Sequence, residues 1–314
     1  MAEFHHVPVL LEECLSGLDI KPGGVYLDGT LGGGGHSLEI LKRLDTGHLY
    51  GIDRDGKAIE AASLRISLAG QSDKFTAVRG NFHDAKKLLS ELGVNKLDGA
   101  LLDLGVSSPQ LDEGERGFSY QGDNPLDMRM DTSAPTTAAD IVNTASVEEL
   151  TRILREYGEE NWAVQISRVI ADRRKQRPIT TTAQLVEIID AAIPKKIRAR
   201  DPSHPARRTF QALRIAVNDE LEPLDRALRD IASLLKPGGR FCVIAFHSLE
   251  DRIVKNCFKN LADPCTCPKS FPVCVCGKKP TVKLITGKPI TAGERELSEN
   301  PRARSATLRV IEAL

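Results

Sequence analysis

The chain has 314 residues, 41% of them hydrophobic, which suffices for a substantial core in one or two domains. Its 43 basic and 43 acidic side chains cancel, so no whole-molecule field draws it to nucleic acid or to a membrane, and such a partner has to be sought in local clusters. The start, Met1-Ala2-Glu3-Phe4-His5-His6, lacks the features of a secretory signal, no apolar run approaches the roughly 20 residues of a membrane helix, and seven cysteines are an odd number, so reduced thiols in a cytoplasm are expected.

Short apolar runs at Val25 to Asp28, His48 to Asp53, Phe75 to Arg79 and Leu97 to Leu104 predict strands. Helical patterns at Ser37 to Leu44, Asp55 to Leu68 and Asp84 to Leu92 lie between them. This alternation predicts right-handed βαβ units on a parallel sheet, an α/β fold of the Rossmann-like kind. From about residue 109 to 208 the rhythm turns helical, with Val147 to Tyr157, Trp162 to Arg174 and Thr182 to Ala192 punctuated by Pro178, Pro194, Pro202 and Pro205. The expectation is an all-helical domain over 109–208, inserted into a discontinuous domain of residues 1–108 and 209–314. A fifth strand, Phe241 to Phe246, follows the turn Lys236-Pro237-Gly238-Gly239. After it come a helix from Leu249 to Leu261, a cysteine-bearing loop, and strands near Val282 to Ile285 and Ala306 to Ile311.

In open parallel sheets ligands bind beyond the carboxyl ends of the strands. Asp28, Asp53, Asp103 and His247 fall at or just past predicted strand ends, and Asn81-Phe82 follows the third closely. After Asp28 runs Gly29-Thr30-Leu31-Gly32-Gly33-Gly34-Gly35-His36, a turn that brings backbone close to a ligand. An acid placed like Asp53 accepts hydrogen bonds from ribose hydroxyls. The glycine spacing does not match the pyrophosphate-binding Gly-x-Gly-x-x-Gly. An acid-ended strand suits S-adenosylmethionine, whose amino group is a cation. Phe82 would pack on the adenine, or simply fill core; Asp103 would lie near the amino-acid end. Past the fourth strand, Ser107-Ser108-Pro109-Gln110 is similar to the acid-or-serine, proline, aromatic signature of enzymes that methylate exocyclic amines. Hydrogen-bond acceptors there can pull a planar amine towards a tetrahedral shape, so Asp103, Ser107, Ser108 and Pro109 are the candidate catalytic group. A plain turn at Ser107-Ser108-Pro109 is the competing reading.

The runs Asp28–Ser37, Leu101–Asp112, Pro125-Leu126-Asp127-Met128-Arg129-Met130, Arg208–Ile215, Phe246–Arg252 and Asn300–Ser305 resemble the bacterial small-subunit ribosomal RNA cytosine-N4 methyltransferase family over almost the full chain. The resemblance implies S-adenosylmethionine as donor and the N4 amine of a cytidine in the decoding region of 16S ribosomal RNA as acceptor. It implies cofactor contacts at Gly34, Gly35, His36, Asp53, Phe82, Asp103 and Gln110. The cysteine-bearing loop departs from the pattern, since some members lack it. A nicotinamide-dependent dehydrogenase explains the glycines and Asp53 but not Ser107-Ser108-Pro109-Gln110. A non-catalytic RNA-binding factor explains only the insertion.

A cytosine has to be unstacked before its amine can reach a buried donor, and the phosphates beside it call for positive charge. Residues 165–208 carry eleven basic side chains against four acidic ones. Arg173, Arg174, Lys195, Lys196, Arg198, Arg207 and Arg208 are the candidate RNA contacts, and a solvated helical face is the alternative. Naked RNA and the assembled subunit both remain open as substrate, as do monomer and homodimer. His247 is as readily a structural histidine as a pocket residue and is not assigned as a base. Cys265-Thr266-Cys267 and Cys274-Val275-Cys276 can hold a structural zinc, although the spacing is not the usual Cys-x-x-Cys; free thiols or a redox-sensitive loop are the alternatives.

Overall fold

A computed structural model describes the chain except for residues 1–7, 108, 109, 112, 200–203, 269 and 272. The chain divides into two compact units, Met1–Gly105 with Leu221–Leu314, and Val106–Glu220.

The first unit is built on a sheet of strands β1 (Val25–Asp28), β2 (His48–Asp53), β3 (Phe75–Arg79), β4 (Leu97–Asp103), β5 (Leu235–Ala245), β6 (Val282–Leu284), β7 (Ile290–Thr291) and β8 (Thr307–Ala313). The order is β3-β2-β1-β4-β5-β8-β6, with β7 also paired to β8. The first five strands run parallel, and β8 returns antiparallel beside β5. The strand order reverses between β1 and β4 while the direction is kept, which makes this a doubly wound, Rossmann-like sheet with its crevice at the carboxyl ends of those strands.

Residues alternate between two cores across the sheet, as the two-residue period of a strand requires. Helices α1 (Leu11–Leu18), α2 (Gly35–Leu41) and α3 (Gly56–Leu68) contribute Leu15, Ile40 and Ile66 to one core, with Leu101, Ile244 and Val310 from the strands. Helix α4 (Ala85–Glu91) contributes Leu89 to the other, over Leu27, Leu102 and Val243.

The second unit is helical: α5 (Ala138–Thr144), α6 (Val147–Gly158), α7 (Ala163–Arg174), α8 (Thr182–Ala192), α9 (Lys195–Arg198) and α10 (Arg207–Asn218). Its core gathers Leu150, Leu154, Ile166, Ile170, Leu185, Phe210 and Leu213. Helix α10 begins near residue 209, where the sequence suggested a return to the first domain. Its apolar face, Phe210, Ala212 and Leu213, is buried in the helical core instead, so this unit extends to Glu220. Gly158, where α6 ends, permits the close approach of α10: a Cβ there would meet the Arg208 carbonyl oxygen at 2.6 Å.

The chain re-enters the first unit through α11 (Leu224–Leu234), whose Leu224, Ala227, Leu228, Ile231 and Leu234 recur at helical spacing and face the same core as Leu89. Each leucine buried this way is worth about 1.5–3 kcal/mol. Helices α12 (Ser248–Ala262) and α13 (Glu294–Glu299) complete the unit. Strand β5 starts earlier than the glycines suggested. The register against β4 jumps from Leu97↔Leu235 to Gly99↔Arg240, so Lys236-Pro237-Gly238-Gly239 is an irregularity inside the strand rather than a turn before it.

Candidate active site

The ends of β1, β2 and β4 lie side by side, with Asp28 opposite Gly51 and Leu101. Asp28 is buried; its Oδ1 accepts from the Thr30 N–H at 3.1 Å and its Oδ2 from the Ser37 hydroxyl at 2.7 Å. It thereby ties β1 to the start of α2. Burial pushes its carboxyl up to about 6 in spite of these donors.

Between them the loop folds over the sheet edge: Gly29 N–H reaches the Leu101 carbonyl and Leu31 N–H the Ile52 carbonyl, each at 2.9 Å. The glycines divide into two kinds. Gly34, at φ +72°, would place a Cβ 3.0 Å from that of Ala62, and Gly35 would meet Pro8 at 2.6 Å, so both are required by packing. A Cβ on Gly33 meets nothing within 4 Å. The open face of the loop is therefore at Gly33.

Asp53 at the end of β2 is partly buried. Its Oδ2 accepts from the Gly32 N–H at 2.8 Å and its Oδ1 from the Asp55 N–H at 2.9 Å. Each oxygen keeps a further lone pair for a ligand hydroxyl. Burial raises its pKa. The cap of α3 is Asp55, which accepts from Lys57, so Asp53 is not spent on that helix. Phe82 follows β3 but is only 9% exposed, packed with Leu27, Ile52 and Leu102. Most of the ring is core, and His83 sits edge-on to it with centroids 4.3 Å apart.

Asp103 ends β4, and its N–H donates to the Thr30 hydroxyl at 2.6 Å. Its side chain is 27% exposed, while its Oδ1 is buried and has no hydrogen-bond partner. Burial first, then the charges of Asp28 and Glu250, push this carboxyl up to about 8. The remaining exposure screens part of that push. His36, the second residue of α2, sets its ring Nε2 3.0 Å from the Val9 carbonyl, which can only accept, so Nε2 carries the proton. Its Nδ1 lies 3.9 Å from Asp103 Oδ2.

Glu250 is the acid the sequence reading missed. It is 2% exposed, and its Oε2 accepts from the backbone N–H groups of Phe246 at 2.8 Å and His247 at 3.3 Å. His247 returns the bond, its Nδ1 accepting from the Glu250 N–H at 3.4 Å. His247 Nε2 lies 3.2 Å from Glu250 Oε1, at an angle too poor for a hydrogen bond. The pair forms a capping box on α12, which gives His247 a structural role. The signal was present as a polar residue followed three positions later by Glu, just past a strand.

Of the sequence-predicted site residues, Gly34, Gly35, His36, Asp53, Phe82 and Asp103 belong to the first unit. Ser107 and Gln110 belong to the second, where Gln110 Oε1 accepts from the Ser107 N–H at 3.0 Å and the side chain closes its own turn. Ser108 and Pro109 lie outside the described residues. Arg173, Lys195, Lys196, Arg207 and Arg208 are exposed on the second unit. Arg174 and Arg198 are committed elsewhere. Arg174 donates to the Val142 carbonyl near the end of α5 at 2.8 Å, and Arg198 pairs with Asp190 on α8 at 3.0 Å. The Pro125–Met130 run is used internally too: Asn218 donates to the Met128 carbonyl at 2.7 Å and accepts from the Met130 N–H at 2.8 Å. The four sulfurs of Cys265, Cys267, Cys274 and Cys276 lie within 4.8 Å of one another on the loop after α12.

The arrangement gathers carboxyl groups at the sheet edge: burial raises both Asp28 and Asp103, and their acidic neighbours, Asp53 for the first and Asp28 and Glu250 for the second, add to it. A ligand that brings positive charge and two hydroxyls would relieve the repulsion and fill the acceptors. A sulfonium nucleoside with an ammonium group has that chemistry, and the buried, unpartnered Asp103 Oδ1 is where the rim lacks a donor.

The chain is 56% identical over 309 residues to ribosomal RNA small subunit methyltransferase H of Symbiobacterium thermophilum, covering 98% of this chain and 96% of that protein. It is 54% identical over 313 residues to the protein of the same name from Clostridioides difficile, covering 99% and 100%. Among solved structures, an rRNA methylase from Streptococcus thermophilus aligns over 99% of both chains with a TM-score of 0.41 and 10% identity. The MraW methylase family model matches residues 3–314, and the chain belongs to that family.

Proposed function

We propose that the chain transfers a methyl group from S-adenosylmethionine to the exocyclic N4 amine of a cytidine in the decoding region of 16S ribosomal RNA. The observation that carries this reading is the full-length match to the methylase family, together with relatives named for the small-subunit ribosomal RNA. The carboxylate-lined strand ends are what that chemistry needs.

S-adenosylmethionine supplies an electrophilic methyl group on a cationic sulfur. Asp53, held by Gly32 and Asp55, accepts from the ribose hydroxyls. The open face at Gly33 admits the nucleoside, and the exposed edge of Phe82 bounds the base. Asp103 faces the charged end. Burial and its acidic neighbours favour the protonated form of this carboxyl in the free protein. Positive charge beside it favours the carboxylate, which can then accept from the cytidine amine. The Ser107-Ser108-Pro109 segment, next along the chain after β4, adds acceptors that pyramidalise the nitrogen. Such positioning needs no covalent nucleophile. Exposed cations of the second unit, Arg173, Lys195, Lys196, Arg207 and Arg208, bind phosphates.

The test is methyl transfer by purified protein to 16S RNA from a strain lacking the modification. The RNA is supplied naked and as assembled small subunits, then digested to nucleosides for mass spectrometry. N4-methylcytidine from at least one substrate supports the reading; a methyl group on carbon, on ribose or on another base overturns it.

A further inference from the structure

The loop between α12 and β6 carries chemistry that methyl transfer does not use. Its cysteines come from two Cys-x-Cys turns that face each other. Cys265 Sγ lies 3.5 Å from Cys274 Sγ and 3.9 Å from Cys276 Sγ. Cys274 Sγ lies 3.9 Å from Cys267 Sγ and 3.4 Å from Cys276 Sγ. A zinc–thiolate bond is about 2.3 Å, so the edge of a ZnS4 tetrahedron is about 3.8 Å. The observed separations surround that value. They are far longer than a disulfide bond, which is about 2.0 Å. An iron–sulfur cluster would spread its cysteines over several irons, further apart than these sulfurs, which all lie within 4.8 Å of one another.

Backbone N–H groups also turn onto the sulfurs. The Val275 N–H donates to Cys267 Sγ at 3.3 Å. The N–H groups of Thr266 and Lys278 also turn onto Cys276. N–H donors of this kind suit thiolates, which carry charge, better than neutral thiols. The other three cysteines, Cys14, Cys242 and Cys257, are buried in the core and form no such group of four among the described residues.

We propose that Cys265, Cys267, Cys274 and Cys276 bind one zinc ion as a closed tetrathiolate site. Four protein ligands leave no position for water or substrate, so the role is structural. The metal pins a segment that has little core of its own: Phe271, Val273 and Val275 are exposed, and the next regular element is β6 at Val282. Zinc binding releases the protons of those cysteines that are still thiols and makes four zinc–sulfur bonds, with no change of oxidation state. The proposal does not depend on the identity of the RNA substrate.

The test is metal analysis of full-length protein purified without a polyhistidine tag. The expected result is about one zinc per chain, released to a chromogenic chelator only after the thiols are titrated with a mercurial. Cys274→Ser is expected to lose the zinc while donor binding is unchanged. Should that variant fail to fold, cobalt reconstitution of the wild-type chain gives the same information through the intense visible bands of tetrahedral tetrathiolate cobalt. Less than about 0.2 zinc per chain, iron in its place, or a mass lowered by disulfide formation would overturn the site. Zinc retained in Cys274→Ser would overturn the ligand assignment. A failed metal test leaves N4-methylcytidine formation intact, so the two readings fail separately.

Discussion

The acids of the first unit and the cations of the second are held in opposite ways. Asp28, Asp53 and Glu250 are each fixed by backbone N–H groups or a buried hydroxyl, so their oxygens are in place before a ligand arrives. Arg173, Lys195, Lys196, Arg207 and Arg208 stand in solvent, with no ion pair among the described residues. A donor molecule of fixed shape rewards the first arrangement, because preorganised groups lose nothing on binding. A phosphate backbone of variable path rewards the second, since neutralisation by mobile side chains tolerates many geometries. The comparison also ranks variants: loss at the fixed acids should be large and local, and loss at the cations small, cumulative and salt-dependent.

The largest effect is expected at Asp103. Asp103→Ala should lower kcat by at least about 100-fold, the scale for removing one polar group aimed at the reacting centre. Wild-type turnover would break the assignment of the catalytic group. The same residue makes a stability prediction of opposite sign. A carboxyl raised to about 8 on folding binds a proton in the native state that the unfolded chain has already lost above its ordinary value of 3.8. Stability contributed by that proton is full below the unfolded value and disappears as pH climbs towards 8. Asparagine does not titrate. Asp103→Asn should therefore melt above the wild type by a margin that grows between about pH 4 and pH 8, though it transfers no methyl groups. A constant margin would mean that the carboxyl titrates normally.

Asp53→Ala comes next and should weaken donor binding by more than about tenfold, or 1.4 kcal/mol, in calorimetry. An unchanged dissociation constant would remove Asp53 from the site. Donor binding by the wild-type chain should also release up to about one proton per chain at pH 7, because positive charge beside Asp103 favours its carboxylate. Affinity should then rise with pH until about 8 and level off. Heats measured in two buffers of different ionisation enthalpy read the proton count directly. No release would place the cationic group of the donor away from Asp103.

How much of this was legible in the sequence depended on whether a residue type has one use or several. Asp53 and Asp103 were legible because an acid closing an apolar run lands at a sheet edge whatever packs around it. Glu250 was hidden: it lies inside a helix pattern, where acids usually face water, and only the β5–α12 junction buries it. Gly34 and Gly35 were legible as glycines but not as packing glycines, because Pro8 and Ala62 approach them from elsewhere in the chain. The end of the helical unit was misjudged for the same reason. Whether the amphipathic face of Arg207–Asn218 meets a sheet or other helices is decided by Leu150 and Leu154, some sixty residues earlier in the chain. Arginines were least legible, since one guanidinium serves a carbonyl, a carboxylate or a phosphate equally well.

That ambiguity yields the smallest and most discriminating prediction. Arg173 and Arg174 are neighbours at the end of α7, identical in the sequence and different in the fold. Arg173 is exposed, whereas Arg174 donates to Val142 and so satisfies a carbonyl that α5 leaves open at its C-terminal end. Arg173→Ala should leave the melting temperature alone, weaken RNA binding modestly, and reduce the slope of log affinity against log salt by about 0.7, the share of one phosphate contact on a single strand. Arg174→Ala should do the reverse: about 1 kcal/mol of stability lost with the salt slope untouched. Equal slopes in the two variants would mean that the carbonyl contact of Arg174 yields when RNA arrives. In that case the division between structural and RNA-binding arginines would have to be redrawn for Arg198 as well, because its bond to Asp190 is equally open to exchange with a phosphate.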